Sequence, residues 1–171
     1  MGCVTRPLYD ETRWIEQAGN LLLFGASGTG KTHLAAAIGR MAIEKGIRAC
    51  FISAGDLIQK LQAAKAELRL MEWMSCQDKY RLFILDDVGY VRKSESETSV
   101  LFEFIAHRYE SGSLLITSNQ PFGEWDKIFP DQVMTVAAID RLIHHATIIE
   151  LDGESWRKKS YTQTHKGNSH E

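Results

Sequence analysis

Residues 25–32 read Gly-Ala-Ser-Gly-Thr-Gly-Lys-Thr. Glycines at this spacing let backbone N–H groups close around an anion with no Cβ in the way. A helix starting at Lys31 would aim the positive end of its dipole at the same point. The pattern is that of a nucleotide-phosphate cradle. Gly25, Ala26, Ser27, Gly28, Thr29, Gly30, Lys31, Thr32 and His33 are its expected lining. Lys31 should reach the β- and γ-phosphates of ATP, and the Thr32 hydroxyl should bind Mg²⁺. Chance produces such a match in a chain of this length well under roughly 1% of the time.

A second acidic pair stands downstream. The apolar run Leu82–Leu85 ends in Asp86-Asp87. Alone, two acids would be read as a solvated strand end; after a phosphate cradle they read as a Walker B motif. Asp86 is then the Mg²⁺ ligand, partly through water, and Asp87 orients or deprotonates the attacking water. Asn119 directly follows the run Ser113–Ser118. Its position suits contact with a γ-phosphate and the lytic water, and equally suits a turn before Gln120-Pro121. On pattern alone Arg141 fits a surface salt bridge, with Asp140 or another acid. His144 and His145 are adjacent, so helical geometry points them in different directions and makes them a poor metal pair. The tryptophans (Trp14, Trp73, Trp125, Trp156) and Tyr90 read as core or rim. Arg157-Lys158-Lys159 reads as a solvated basic end, with a phosphate-backbone contact as the alternative.

These residues need a frame that alternates short apolar runs with longer amphipathic ones. Asn20–Phe24 reads as a buried strand, and Lys31–Lys45 as a helix ended by Gly46. Arg48–Ser53 is the next strand. A long helix over Gly55–Met74 follows, with Leu57, Leu61, Ala64, Leu68 and Met71 on one face. Arg81–Leu85 is a third strand and Glu95–Glu110 a helix with Leu101, Phe104, Ile105 and Tyr109 inward. Ser113–Ser118 is a fourth strand. Helices over Phe122–Phe129 and Asp131–His145 precede a fifth strand, Thr147–Leu151. Strand–helix alternation with continuously apolar strands predicts an α/β fold, a parallel sheet covered on both faces.

The chain has 171 residues, 44% hydrophobic and 25% charged, which suits one globular domain. Residues 1–157 are its expected extent, with 1–13 a short leading segment and 158–171 a polar, disordered tail. The net charge of −2 excludes a global basic field for nucleic acid, though not a local patch. Cys3, Cys50 and Cys76 fit no zinc or redox spacing and read as reduced thiols. No apolar run has membrane-spanning length and no signal-peptide pattern opens the chain, so a cytoplasmic location is expected.

The strings GNLLLFGASGTGKTHLAAAIG, LFILDDVGY, RYESGSLLITSNQPFGEWDKIF and AAIDRLIHHATIIELDGESWR resemble the IstB-type helper ATPases of bacterial insertion sequences. These are AAA+ proteins related to the DnaC helicase loaders. The resemblance runs from Trp14 to Arg157 and is most specific in TSNQPFGEW and DRLIHHA. It implies a P-loop NTPase three-layer αβα sandwich, with strand order 5-1-4-3-2 and no helical lid domain. It makes Asn119 sensor I. Arg141 becomes the arginine finger, reaching the ATP of a neighbouring subunit. The catalytic set is then Lys31, Asp87, Asn119 and Arg141, with Thr32 and Asp86 holding Mg²⁺.

The implied function is ATP-dependent assembly on duplex DNA, as a homo-oligomer with ATP sites at subunit interfaces, to assist a partner transposase. A DnaC-type loader for a replicative helicase shares this core. A nucleotide-binding scaffold with little hydrolysis is the alternative from another class. Two departures from the family pattern bear on this. Only 24 residues precede Gly25, fewer than the family usually carries, so the chain reads as N-terminally shortened. Walker B ends Asp-Asp where Asp-Glu is commoner, which places the second carboxylate one methylene short.

Overall fold

The computed structural model describes residues 12–89, 94–127 and 129–152. Five parallel strands form the sheet: β1 (Asn20–Phe24), β2 (Ala49–Ser53), β3 (Leu82–Asp86), β4 (Ser113–Ser118) and β5 (Ala146–Glu150). Their spatial order is β2-β3-β4-β1-β5, which is the expected 5-1-4-3-2 read from the other edge. The helices are α1 (Arg13–Glu16), α2 (Lys31–Glu44), α3 (Ala54–Ala66), α4 (Leu70–Gln77), α5 (Glu95–Arg108) and α6 (Gln132–Ile143).

The continuous apolar strands supply two cores because alternate side chains leave opposite faces. Leu22, Phe24, Phe83 and Leu85 join α3, α5 and α6 in one layer, with Leu57, Leu61, Phe104 and Leu142. Leu21, Leu23, Leu82 and Ile84 join α1 and α2 in the other, with Ile15, Ala35 and Ala42. Local signals start these helices. The Ser53 hydroxyl caps α3, a Ser94–Glu97 capping box opens α5, and the Asp131 carboxylate caps α6.

Two elements differ from the sequence reading. The helix expected over residues 55–74 is two helices, α3 and α4. Leu68 adopts φ 57° between them, and the Arg69 N–H closes back on the Ala64 carbonyl at 2.8 Å. That left-handed residue resets the helical phase. Leu68 (95% exposed) and Met71 (63%) therefore leave the apolar face, and Leu70 and Met74 replace them in the core. The segment expected as a helix over Phe122–Phe129 is a 3₁₀ turn, Phe122–Lys127. It pins itself by aromatic edges, Phe24 to Phe122 at 4.9 Å and Phe122 to Trp125 at 4.8 Å, and by the Trp125 indole N–H donating to the Gln120 carbonyl.

At the base of the sheet Arg108 is almost fully enclosed. Its guanidinium donates to the carbonyls of Tyr80 and Arg81 and stands 5.7 Å from the Phe83 ring centre. Among the described residues β5 is the last element, and no helix is long and apolar enough to cross a membrane. Tyr90, Trp156, the Arg157-Lys158-Lys159 cluster, the tail 158–171 and nearly all of segment 1–13 lie outside the described residues.

Candidate functional site

The cradle lies between β1 and α2. β1 is buried along its whole length and delivers the chain at Gly25. The loop then turns through Gly28 (φ 86°) and Gly30 (φ 93°), backbone conformations that cost a side-chain-bearing residue dearly. Gly30 is also the N-cap of α2. It offers no side-chain cap, and the first turn carries no acid, so the leading N–H groups remain available to an anion. The Thr29 hydroxyl donates to the Ala26 carbonyl at 2.9 Å and braces the loop.

Lys31 is only 6% exposed, and its ammonium donates to the carbonyls of Gly25 at 2.8 Å and Ala26 at 3.0 Å. Burial pulls its pKa below the ordinary lysine value; the charges of Asp87 and Asp86 oppose that shift without cancelling it. The cation thus sits in a desolvated loop with carbonyl partners and two acids close enough to be felt.

The second motif meets the first through Thr32. Its hydroxyl contacts both Asp86 carboxylate oxygens, at 3.0 and 3.1 Å. Asp86, at the end of β3, is 9% exposed. It also accepts from the Thr117 hydroxyl of β4 at 2.6 Å. The same Thr117 oxygen accepts the Asp87 N–H at 2.9 Å. One threonine therefore fixes the carboxylate of one acid and the backbone of the next. Asp87 itself is exposed at φ 60°. A left-handed aspartate at the end of a strand beside the cradle is the kind of strained position that functional sites retain.

Thr117 is a site residue missed in the sequence, although a hydroxyl inside the apolar run SLLITS was a signal. Gly89 was missed too. A Cβ there would stand 2.5 Å from the Ser118 hydroxyl and 3.1 Å from the Asn119 side-chain oxygen, so only glycine lets the loop after β3 lie against the end of β4. Thr117→Val keeps the shape and strips both hydrogen bonds. It should cost about 1–3 kcal/mol of stability by chemical denaturation. Unchanged stability would contradict this role.

Lys31, Thr32, Asp86 and Asp87 are thus brought together at the C-terminal edge of the sheet, and Asn119 is half-buried at the same edge, beside Gly89. Arg141 is not with them. It is exposed near the C-terminal end of α6, where it donates to the Ala137 carbonyl of its own helix at 2.8 Å. It borders a hollow with Asn20, which opens β1, and Gly112, which precedes β4. Those residues mark the N-terminal edge of the sheet, a strand length of about 16 Å from the cradle. Arg141 does not reach the cradle of its own chain.

His144 and His145 follow the end of α6 at Ile143, and their ring centres lie 4.1 Å apart.

A family model described as IstB-like ATP binding protein matches residues 9–164. A protein of Sinorhizobium fredii described as an insertion sequence ATP-binding protein is 54% identical over 156 residues, covering 90% of this chain and 52% of that one. The insertion sequence IS21 ATP-binding protein of Pseudomonas aeruginosa is 40% identical over 146 residues, covering 85% and 55%. The chain spans about half the length of these relatives. Among solved structures, the DnaC helicase loader superposes with TM-score 0.70 at 21% identity, covering 83% of this chain and 86% of that one. AMPPCP-bound DnaA from Aquifex aeolicus superposes with TM-score 0.68 at 21% identity, covering 94% and 49%. At such identity these two carry the fold alone.

Proposed function

The chain belongs to the IstB-like ATP-binding family, and from that premise we infer that it is an ATP-hydrolysing helper of DNA transposition. The observation that carries the nucleotide reading is the Lys31–Thr32–Asp86–Thr117 constellation at the mouth of a glycine loop. Loop amides and the first turn of α2 take the phosphates, and Lys31 swings from the Gly25 and Ala26 carbonyls to the β- and γ-oxygens. Asp87 orients a water and accepts its proton as the oxygen attacks the γ-phosphorus. The bond from that phosphorus to the β-phosphate oxygen breaks, giving ADP and inorganic phosphate. Asn119 positions the same water or the γ-phosphate.

The donor set fits Mg²⁺. Thr32 and Asp86 would hold it, both offering the hard oxygens this ion prefers. When bound, the ion neutralises charge on the phosphate oxygens.

Arg141 completes the site from a neighbouring subunit, so hydrolysis requires assembly. Duplex DNA is the proposed scaffold for that assembly and a transposase the proposed partner, in the cytoplasm. The helicase-loader alternative rests on a likeness of fold and gains no support from the site. The DNA claim is tested by fluorescence anisotropy of a labelled duplex titrated with protein. Binding should be tight with ATP and Mg²⁺ and weak with ADP; equal affinity in both would contradict ATP-dependent assembly.

Lys31 also sets a pH dependence. Its pKa in the free protein is depressed by burial, and bound phosphates raise it by supplying the missing negative charge. ATP affinity should therefore be highest below the depressed pKa and fall as pH rises through it, with proton uptake on binding between the two values. Calorimetry in buffers of different ionisation enthalpy measures that uptake; proton release in the same range would contradict it.

A further inference from the structure

The base of the sheet, opposite the cradle, carries a second group of potential ligands. Glu110, His144 and His145 are exposed, and one ligand atom from each lies within 4.8 Å of the others. Two histidines and a carboxylate are a ligand set for a divalent transition ion of the zinc type, with an open position left for water or another ligand. Bound to one ion at ordinary zinc distances, the three ligand atoms would stand about 3.4 Å apart, so closure needs small side-chain movements.

The ligands arrive on fixed backbone. Glu110 follows α5 at φ 59°, a left-handed conformation unusual for glutamate, in a turn closed by the Ser111 and Gly112 N–H groups on the Arg108 carbonyl, both at 3.1 Å. Arg108 is the buried guanidinium described above, so that turn is anchored in the core. His144 donates its backbone N–H to the Asp140 carbonyl at 3.1 Å, and the His145 carbonyl accepts the Asn20 N–H at 2.8 Å. The junctions α5–β4 and α6–β5 thus present the three side chains to one point.

The surroundings also suit a metal-binding histidine. Such a ligand ordinarily donates its second ring N–H to an oxygen that fixes tautomer and orientation. The Tyr109 hydroxyl lies 2.8 Å from His144 Nδ1 and offers that partner. The opposing charges are Arg141, one helical turn before His145, and the buried Arg108, which line the same hollow. The Glu110 carboxylate offsets part of that charge.

The geometry points to a transition-metal site formed by Glu110, His144 and His145, with Tyr109 as its positioning residue, at the end of the sheet opposite its own chain's cradle. It does not depend on the ATPase reading.

The test is titration of the untagged, nucleotide-free full chain with Co²⁺, followed by absorbance and by displacement with Zn²⁺. One ion per chain should bind in the micromolar range, with a nitrogen–oxygen ligand spectrum and no thiolate charge-transfer band. His144→Ala, His145→Ala and Glu110→Gln should each weaken binding at least tenfold, and Tyr109→Phe severalfold, whereas the double histidine variant should not bind. Because all three ligand side chains are exposed, the variants should keep the wild-type unfolding temperature, and Zn²⁺ should raise that temperature in the wild type and not in the double histidine variant. Equal uptake by the double variant, a thiolate spectrum, or no saturable binding at millimolar ion would each overturn the site.

Discussion

Lys31→Ala is expected to abolish measurable ATP binding while leaving the protein folded. Lys31 is 6% exposed and, among the described residues, its ammonium is held by two loop carbonyls, so burial already acts against its charge. Its removal relieves a desolvated cation, and the fold should lose little. The bound state loses its one buried cation facing the β- and γ-phosphates. Truncating one partner of a buried, hydrogen-bonded charge pair costs about 2–5 kcal/mol, or roughly 30- to several-thousand-fold in affinity. Isothermal calorimetry with ATP and Mg²⁺ reads this directly, with circular dichroism as the check on folding. Undiminished affinity in a folded variant would remove the phosphate cradle from residues 25–32.

Arg141→Ala is expected to leave ATP affinity unchanged and to lower steady-state hydrolysis by about 10³-fold or more, the scale on which arginine fingers act in related nucleotide hydrolases. Arg141 stands at the N-terminal edge of the sheet and the cradle at the C-terminal edge, so it makes no contact that its own nucleotide could feel. Asp87→Asn is expected to be equally inactive for the opposite reason, because it keeps the finger and loses the base. A mixture of the two should recover activity. Some interfaces then join an intact cradle from the Arg141→Ala subunit to an intact finger from the Asp87→Asn subunit. Co-assembled mixtures that stay inactive would exclude a finger acting across subunits.

Much of this was legible in contiguous residues. Strands Asn20–Phe24 and Ser113–Ser118 occupy the residues expected of them, because each is apolar in its middle and flanked by turn-forming residues. The cradle was legible for the same reason, since its chemistry is written in eight successive positions. The strand order was not contained in the apolar pattern and entered through family resemblance. The break at Leu68 was hidden because no glycine or proline marks it. Thr117 was hidden because it acts across 31 positions, where only strand pairing brings it to Asp86.

The central claim is an ATPase completed by its neighbour and assembled on DNA, and it is tested most directly by ATP hydrolysis per subunit measured against protein concentration, with and without duplex DNA. The account predicts a rate per subunit that climbs with concentration and climbs further when DNA is added. A rate that stays flat across concentration and is indifferent to DNA would contradict a shared active site and leave a nucleotide-binding scaffold in its place.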